Sequence, residues 1–357
     1  MGDRTHIEWA DSTWNPVTGC TRISPGCDNC YIDRSPPFRM AGRRFAKPCG
    51  EEGCPGHAYL GDGAGATTGV LLHSERLEQP LRWRRPRRVF VCSLADLFHG
   101  DVPDGYIAQV WAAMAMSPRH TFQVLTKRPA RMRALLSSRQ FREAVEGEVS
   151  PAPSGGHPGW PLPNVWIGVT AEDQERADQR IPILLDTPAA VRWLSVEPMI
   201  GPVDLRGFVD QWSDDDCPTC DWGHCPEVAV AVRRDLDHED GSYVSMLSVC
   251  ARHRGVDWVV CGGESGARAR PMDPAWARSL RDQCMVTGIA FFFKQWGEWG
   301  PDGVRVGKGA AGRHLDQRTW DQYPGATGPE FAVARRGFWR DAGALGAAGH
   351  EPWGDVS

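Results

Sequence analysis

The sequence predicts an α/β fold, a (β/α) barrel that is partial and TIM-like, with six to seven parallel strands and a small zinc-binding insertion. Three observations predict it. Short apolar runs rich in β-branched and aromatic residues alternate with longer stretches of helical character. Each run ends in polar residues, as strands do at the rim of a parallel barrel. The chain has 357 residues, 41% of them hydrophobic, which suffices for one large domain with an insertion.

The strand-like runs are Arg88–Leu94, Thr121–Leu125, Val165–Val169, Val191–Val196, Trp258–Cys261 and Ile289–Phe293. Their near-continuous apolar character fits strands buried on both faces. Between them, Tyr106–Met116, Arg128–Leu136, Asp173–Leu185 and Pro274–Val286 fit helices. The residues following the runs are Ser93 to Asp96, Thr126 to Arg128, Thr170 to Glu172, Glu197, Gly262 to Ser265 and Lys294 to Trp296. In a parallel barrel all of these share the C-terminal rim, where barrel enzymes build their sites. Any one of them alone reads equally well as a cap or turn.

Two segments break the alternation. Ser137–Pro163 is rich in Ser, Pro and Gly and reads as a long loop. Residues 211–255 contain acidic runs and four cysteines, and read as an inserted module between two strands. The expected organisation is therefore a barrel over 1–300 with an N-terminal cysteine loop, a zinc-ribbon-like insertion at 211–255 and a tail over 301–357 with no assignable structure.

Composition narrows the class further. A net charge of −5 excludes a protein that is basic throughout, though not a local basic patch. The N-terminus MGDRTHIEWADSTW has no basic start followed by an apolar run, so no signal peptide is expected. No apolar stretch approaches the roughly 18 residues that span a bilayer. The expectation is a cytoplasmic protein without membrane partners. Its 12 cysteines then call for metal binding rather than disulfides. The 16 tryptophans call for packing, stacking or interface roles.

The first cysteines form Cys20-x6-Cys27-x2-Cys30, and Gly19, Pro25 and Gly26 make the segment a tight loop. Three thiolates can hold three irons of a [4Fe–4S] cluster, leaving the fourth open to S-adenosyl-L-methionine. Zinc completed by Asp28, His6 or a distant cysteine is the competing reading, and ligand-free thiols the plain one.

The stretches TWNPVTGC, PGCDNCY, FVCSLADLFHGDVP, FQVLTKRP, WIGVTAED, RWLSVEPM, GGESG, ARPMDP and FFFKQWGEW resemble an uncharacterised family of phage and actinobacterial three-Cys-motif proteins. They cover most of residues 6–300. That family in turn resembles radical S-adenosylmethionine enzymes in its cysteine loop and strand order. The resemblance implies a [4Fe–4S] cluster on Cys20, Cys27 and Cys30 with S-adenosylmethionine as cofactor; a reductase for the cluster and a second protein are candidate partners that the sequence leaves open. The usual radical spacing is three then two, with an aromatic residue before the last cysteine; here it is six then two, with Asn29 there and Tyr31 after it.

The rim supplies candidates for the remaining roles. Ser93, Asp96, Thr170, Glu172, Gly262, Gly263 and Glu264 are expected to bind cofactor. The glycine–glycine–glutamate stretch resembles the one that holds the amino group in radical enzymes, although it follows a late strand. Glu197, Lys127 and Lys294 are the candidate catalytic groups, the lysines suited to a phosphate or carboxylate. Internal salt bridging is the plain reading of the same residues. A metallohydrolase centre from Asp96, His99, Glu172, Glu197 and Glu264 is a rival, without the histidine spacing such centres use.

Cys217, Cys220, Cys250 and His253 match a structural zinc ribbon in spacing, with Cys225 as a substitute fourth ligand. Cys49, Cys54 and His57 are a weaker metal candidate, and Cys92, Cys261 and Cys284 read as buried inert thiols. Leu81–Arg88 reads LRWRRPRR; Arg82, Trp83, Arg84 and Arg85 are the candidate nucleic-acid contacts, or else a solvated surface run. The expected function is radical chemistry on a nucleotide, a nucleic-acid base or a related small molecule. The alternative is a non-catalytic zinc protein that binds nucleic acid.

Overall fold

The structure is a computed structural model that describes residue 5 and residues 7–46, 65–149, 159–209, 228–232, 246–250 and 255–325. Its centre is a curled seven-stranded parallel sheet, a half-barrel. The strands are β1 (Ser12–Trp14), β2 (Arg88–Val91), β3 (Thr121–Thr126), β4 (Val165–Thr170), β5 (Val191–Val196), β6 (Trp258–Gly262) and β7 (Ala290–Gln295). They lie side by side in chain order. Five helices of eight or more residues accompany them: α1 (Asp104–Ala115), α2 (Pro129–Leu136), α3 (Arg139–Glu148), α4 (Gln174–Leu185) and α5 (Pro274–Thr287).

Strand period sorts the side chains into two layers. Val89, Val91, Phe122, Val124, Ile167, Leu194, Val259 and Phe291 point to the helical face and join the large core. Phe90, Trp193, Trp258, Val260 and Phe292 point to the other face, around Trp9. The Trp9 ring stands 4.7 Å from Phe90, 5.3 Å from Trp193 and 6.1 Å from Trp258. Trp14, Trp83, Trp111, Trp296 and Trp320 are buried in the large core, while Trp9, Trp193 and Trp258, with Trp166 against them, fill the inner face. Gly168 belongs to this layer because a Cβ there would stand 2.5 Å from the Trp193 indole.

All six predicted strands and all four predicted helices form, with bounds shifted by up to a few residues. Three features differ from expectation. β1 is too short to register as an apolar run. Part of the expected loop Ser137–Pro163 is helix α3, which the Ser138 side chain caps by accepting from Phe141 N. The chain beyond Gly300 returns to the sheet: Phe293 N donates to Trp320 O, and Leu315 and Trp320 are buried. Of the insertion, only the antiparallel pair Val228–Val232 and Met246–Cys250 is described, with Cys250 opposite Val228. Cys217, Cys220 and His253 lie outside the described residues, as do Cys49, Cys54 and His57. Among the described residues no helix is long and apolar enough to cross a membrane.

Candidate functional site at the half-barrel rim

Alternation along the strands carries Lys127, Thr170, Glu197, Gly262 and Lys294 to the inner face at the C-terminal ends, one layer above the aromatic fill. Glu197 and Lys294 form an ion pair at 3.1 Å, with side chains 13% and 20% exposed. Ser195 Oγ lies 3.4 Å from the same carboxylate. Gly262 leaves room for the pair, since a Cβ there would come within 2.7 Å of Glu197 Oε1.

Glu172 has no exposed surface. Lys127 Nζ and Arg180 Nη1 each lie 2.9 Å from it, on different oxygens. Both cations also reach Thr170 Oγ1, at 2.8 and 2.9 Å. Burial pushes the Glu172 carboxyl up, but the two cations and their hydrogen bonds outweigh this and hold its pKa down to about 2. Asp96 is bound as fully: Thr126 Oγ1 donates at 2.7 Å, Lys127 N at 3.0 Å, and Arg128 Nη1 at 3.1 Å. Glu264 receives Arg270 Nε and Nη2 at 3.0 and 2.8 Å, and Asn29 Nδ2 at 3.0 Å. Its pKa is lowered, against burial, chiefly by the Arg270 hydrogen bonds.

These same groups dock the cysteine loop. Ser24 Oγ donates to Glu172 Oε1 at 2.8 Å and stands 3.7 Å from Cys27 Sγ. Gly26 packs so closely that a Cβ would meet the Glu172 carboxylate at 2.5 Å. Arg270 Nη2 donates to Pro25 O at 2.9 Å, and Arg270 faces Asp28 at 3.6 Å. Tyr31 Oη donates to Ser93 O. Arg128 donates to Thr21 O at 3.1 Å and approaches Cys20 Sγ at 4.0 Å. His99 Nε2 and Thr21 Oγ1 stand 2.8 Å apart; Nδ1 accepts from Asp101 N, so Nε2 carries the proton.

Cys20, Cys27 and Cys30 therefore sit at the rim, near enough to act on one another electrostatically. Burial, Asp96 and the other two thiols raise the Cys20 pKa to about 12, against the pull of Arg128. Burial and Cys27 raise that of Cys30, while Lys127 and Arg22 pull it down. Cationic groups thus surround the three sulfurs. Among the described residues no three His, Cys, Asp or Glu side chains converge as ligands of a single metal ion. The rival metallohydrolase arrangement is accordingly not assembled: Asp96, Glu172, Glu197 and Glu264 are each taken by a cation.

The arginine-rich run lies elsewhere. Arg82 to Arg85 precede β2, at the N-terminal end of the sheet, whereas the cysteine loop sits at the C-terminal end. The two ends of β2 differ by about 13 Å along the strand. Trp83 is buried, 5.7 Å from the His120 ring, with Arg87 over its face. Arg82 pairs with Glu78 at the surface. Arg180, Arg270, Asn29 and Ser24 escaped the sequence reading. A signal existed for Arg180, which shares the i, i+3, i+4, i+7 stripe of Ala177, Ile181 and Leu184 and is buried with them.

A family described as "Protein of unknown function (DUF5131)" matches residues 4–324. The chain belongs to this family. The match runs past Gly300 and takes in the segment that returns to β7 in this DUF5131 protein. No curated protein and no solved structure matches the chain.

Proposed function

We propose that this DUF5131 protein is an iron–sulfur enzyme of the radical S-adenosylmethionine type, acting on a nucleotide, a nucleic-acid base or a related small molecule. The observation that carries the reading is the three-thiol loop clamped onto the C-terminal rim of a parallel half-barrel. Three thiols on one loop suit a cubane cluster, which takes one thiolate per iron and leaves the fourth iron open, whereas a structural zinc takes four ligands. A cluster on three thiolates would add negative charge, which Arg128, 4.0 Å from Cys20 Sγ, with the nearby Lys127 and Arg22, would offset. Cys20, Cys27 and Cys30 would hold the cluster.

Held by Cys20, Cys27 and Cys30, a cluster would supply one-electron reduction of S-adenosylmethionine, with the electron drawn from an external reductase. The chain's own residues do the rest. Arg128 and Lys127 offset the charge on the sulfurs. The Glu197–Lys294 pair, on the inner face and partly exposed, would face the substrate. An incoming substrate that opens this pair would take Lys294 for an anionic group and leave Glu197 to accept a hydroxyl or amine proton. Ser93, Asp96, Thr170 and Glu264 act through the loop and its neighbours, because their polar groups already have partners.

The test is iron and sulfide analysis, with a visible spectrum, on protein purified without oxygen. About four irons and four sulfides per chain, lost in Cys27→Ala with the secondary structure retained, is the expected result. Zinc alone after attempted reconstitution, or cluster iron retained in Cys27→Ala, overturns the reading.

A further inference from the structure

The segment that carries the cysteines is also the most one-sidedly basic part of the described chain beside the rim. Residues 21–46 contain five arginines (22, 34, 39, 43 and 44) against two aspartates (28 and 33), with no lysine or glutamate. Asp28 faces Arg270. None of the five arginines is ion-paired among the described residues, and neither is Arg268 across the mouth. Backbone contacts gather several of them. Arg34 Nη2 donates to Asn29 O at 3.1 Å, and Arg268 O accepts from Asn29 Nδ2 at 2.8 Å, so both flank the residue before Cys30. Arg44 Nη1 donates to Asp33 O at 3.3 Å. Arg34 lies against Gly266, where a Cβ would meet its Nη1 at 2.8 Å. Arg34, Arg44 and Arg268 are all exposed. A guanidinium held by one N–H keeps its other donors for a phosphate.

Tyr31 lies beside Arg34, whose backbone N–H donates to Tyr31 O at 3.0 Å. It is 53% exposed, and its hydroxyl is tied to Ser93 O, so its ring is held in place beside Cys30 with a surface open to solvent. Unpaired guanidinium groups around a fixed, exposed aromatic ring are the elements of single-strand recognition: charge along the backbone, and a ring for a base. Trp83 is buried and Arg82 is paired with Glu78, and the exposed Arg84 and Arg85 lie at the other end of the sheet, so that run does not offer the combination next to the rim.

We propose that Arg34, Arg44 and Arg268, with the Tyr31 ring, form a docking surface for single-stranded nucleic acid that presents one base to the rim. The surface deepens the reading of the rim as a nucleotide or base site and rests on it for the base's destination, but strand binding itself needs no cluster.

The experiment is fluorescence anisotropy of a labelled single strand of about 12 nucleotides, titrated with full-length protein at several salt concentrations. Removing two phosphate contacts in the double variant Arg34→Ala/Arg268→Ala should weaken binding at least tenfold and make the salt dependence shallower by about 1.4 in log–log slope. Arg34→Lys/Arg268→Lys keeps the charge and should recover most of the affinity, which separates lost contacts from a misfolded loop. Arg139→Ala/Arg142→Ala, two charges removed from paired positions on α3, should bind as the unaltered chain does. Full affinity in Arg34→Ala/Arg268→Ala overturns the proposal, as does a loss that Arg84→Ala/Arg85→Ala alone reproduces. Iron and sulfide are measured on the same preparations. Strand binding without iron would sink the cluster and leave the surface standing; iron without salt-dependent strand binding would do the reverse.

Discussion

Ser24 donates a 2.8 Å hydrogen bond to Glu172, 148 residues further along the chain. That bond joins the cysteine loop to the end of the central strand β4, and it places the loop on a carboxylate that two cations already hold. The loop's position is therefore set by the electrostatics of the rim beneath it. Glu172→Gln keeps the shape but removes the charge, leaving Lys127 and Arg180 close together without a counterion. Breaking a buried pair in this way costs about 3–5 kcal/mol. Urea unfolding should show a midpoint lowered accordingly with little change in slope. A variant as stable as the parent would mean that water already screens the triad.

The same carboxylate gives stability a pH dependence. Its pKa is about 2 in the folded chain against 4.5 ordinarily. A depressed carboxyl contributes fully above its unfolded value and loses that contribution as pH falls towards the folded one. Melting temperature should thus fall between about pH 4.5 and pH 2. Glu264, lowered in the same direction, adds to the fall. Glu172→Gln should flatten part of the curve, and an unflattened curve would assign the acid sensitivity to other groups.

Gly26 tests how closely the loop must approach. A methyl group at this position meets the Glu172 carboxylate at 2.5 Å, inside any real contact. Gly26→Ala should lift the loop while leaving the sheet intact. The Cys27 and Cys30 thiols should then react faster with a thiol reagent under native conditions, while far-ultraviolet circular dichroism stays unchanged. Equal reactivity would show that the loop accommodates the methyl by local adjustment.

Much of the fold was legible because strands buried on both faces and helices with an apolar stripe both write their period into the sequence. β1 was not, since three residues carry no measurable period, and α3 was hidden between Ser, Pro and Gly. The rim positions followed from where the strands end. Their partners did not: nothing local links Ser24 to Glu172, Asn29 to Glu264 or Tyr31 to Ser93. The place of the arginine run was not legible for a related reason. A sequence shows that charges are adjacent, but the direction of β2 decides which end of the sheet they occupy.

Arg270 is the second clamp on the loop, and removing it separates docking from folding. It reaches Glu264, Pro25 O and Asp28 from one side chain, while the β6 and β7 strands beside it pair without its help. Arg270→Ala leaves Glu264 with the Asn29 hydrogen bond and the one from the backbone N–H of residue 270. Charge-assisted bonds of this kind contribute about 1.5–3 kcal/mol each where they are shielded from water. Half-exposure and the freed loop's entropy reduce that to roughly 1–2 kcal/mol, so amide exchange across 24–31 should rise about tenfold. Exchange in β4 to β6 should not change. Arg270→Lys restores the charge without the paired geometry and should recover only part of the protection. Acceleration spread evenly over the sheet would instead make Arg270 part of the global fold and remove it as a loop clamp.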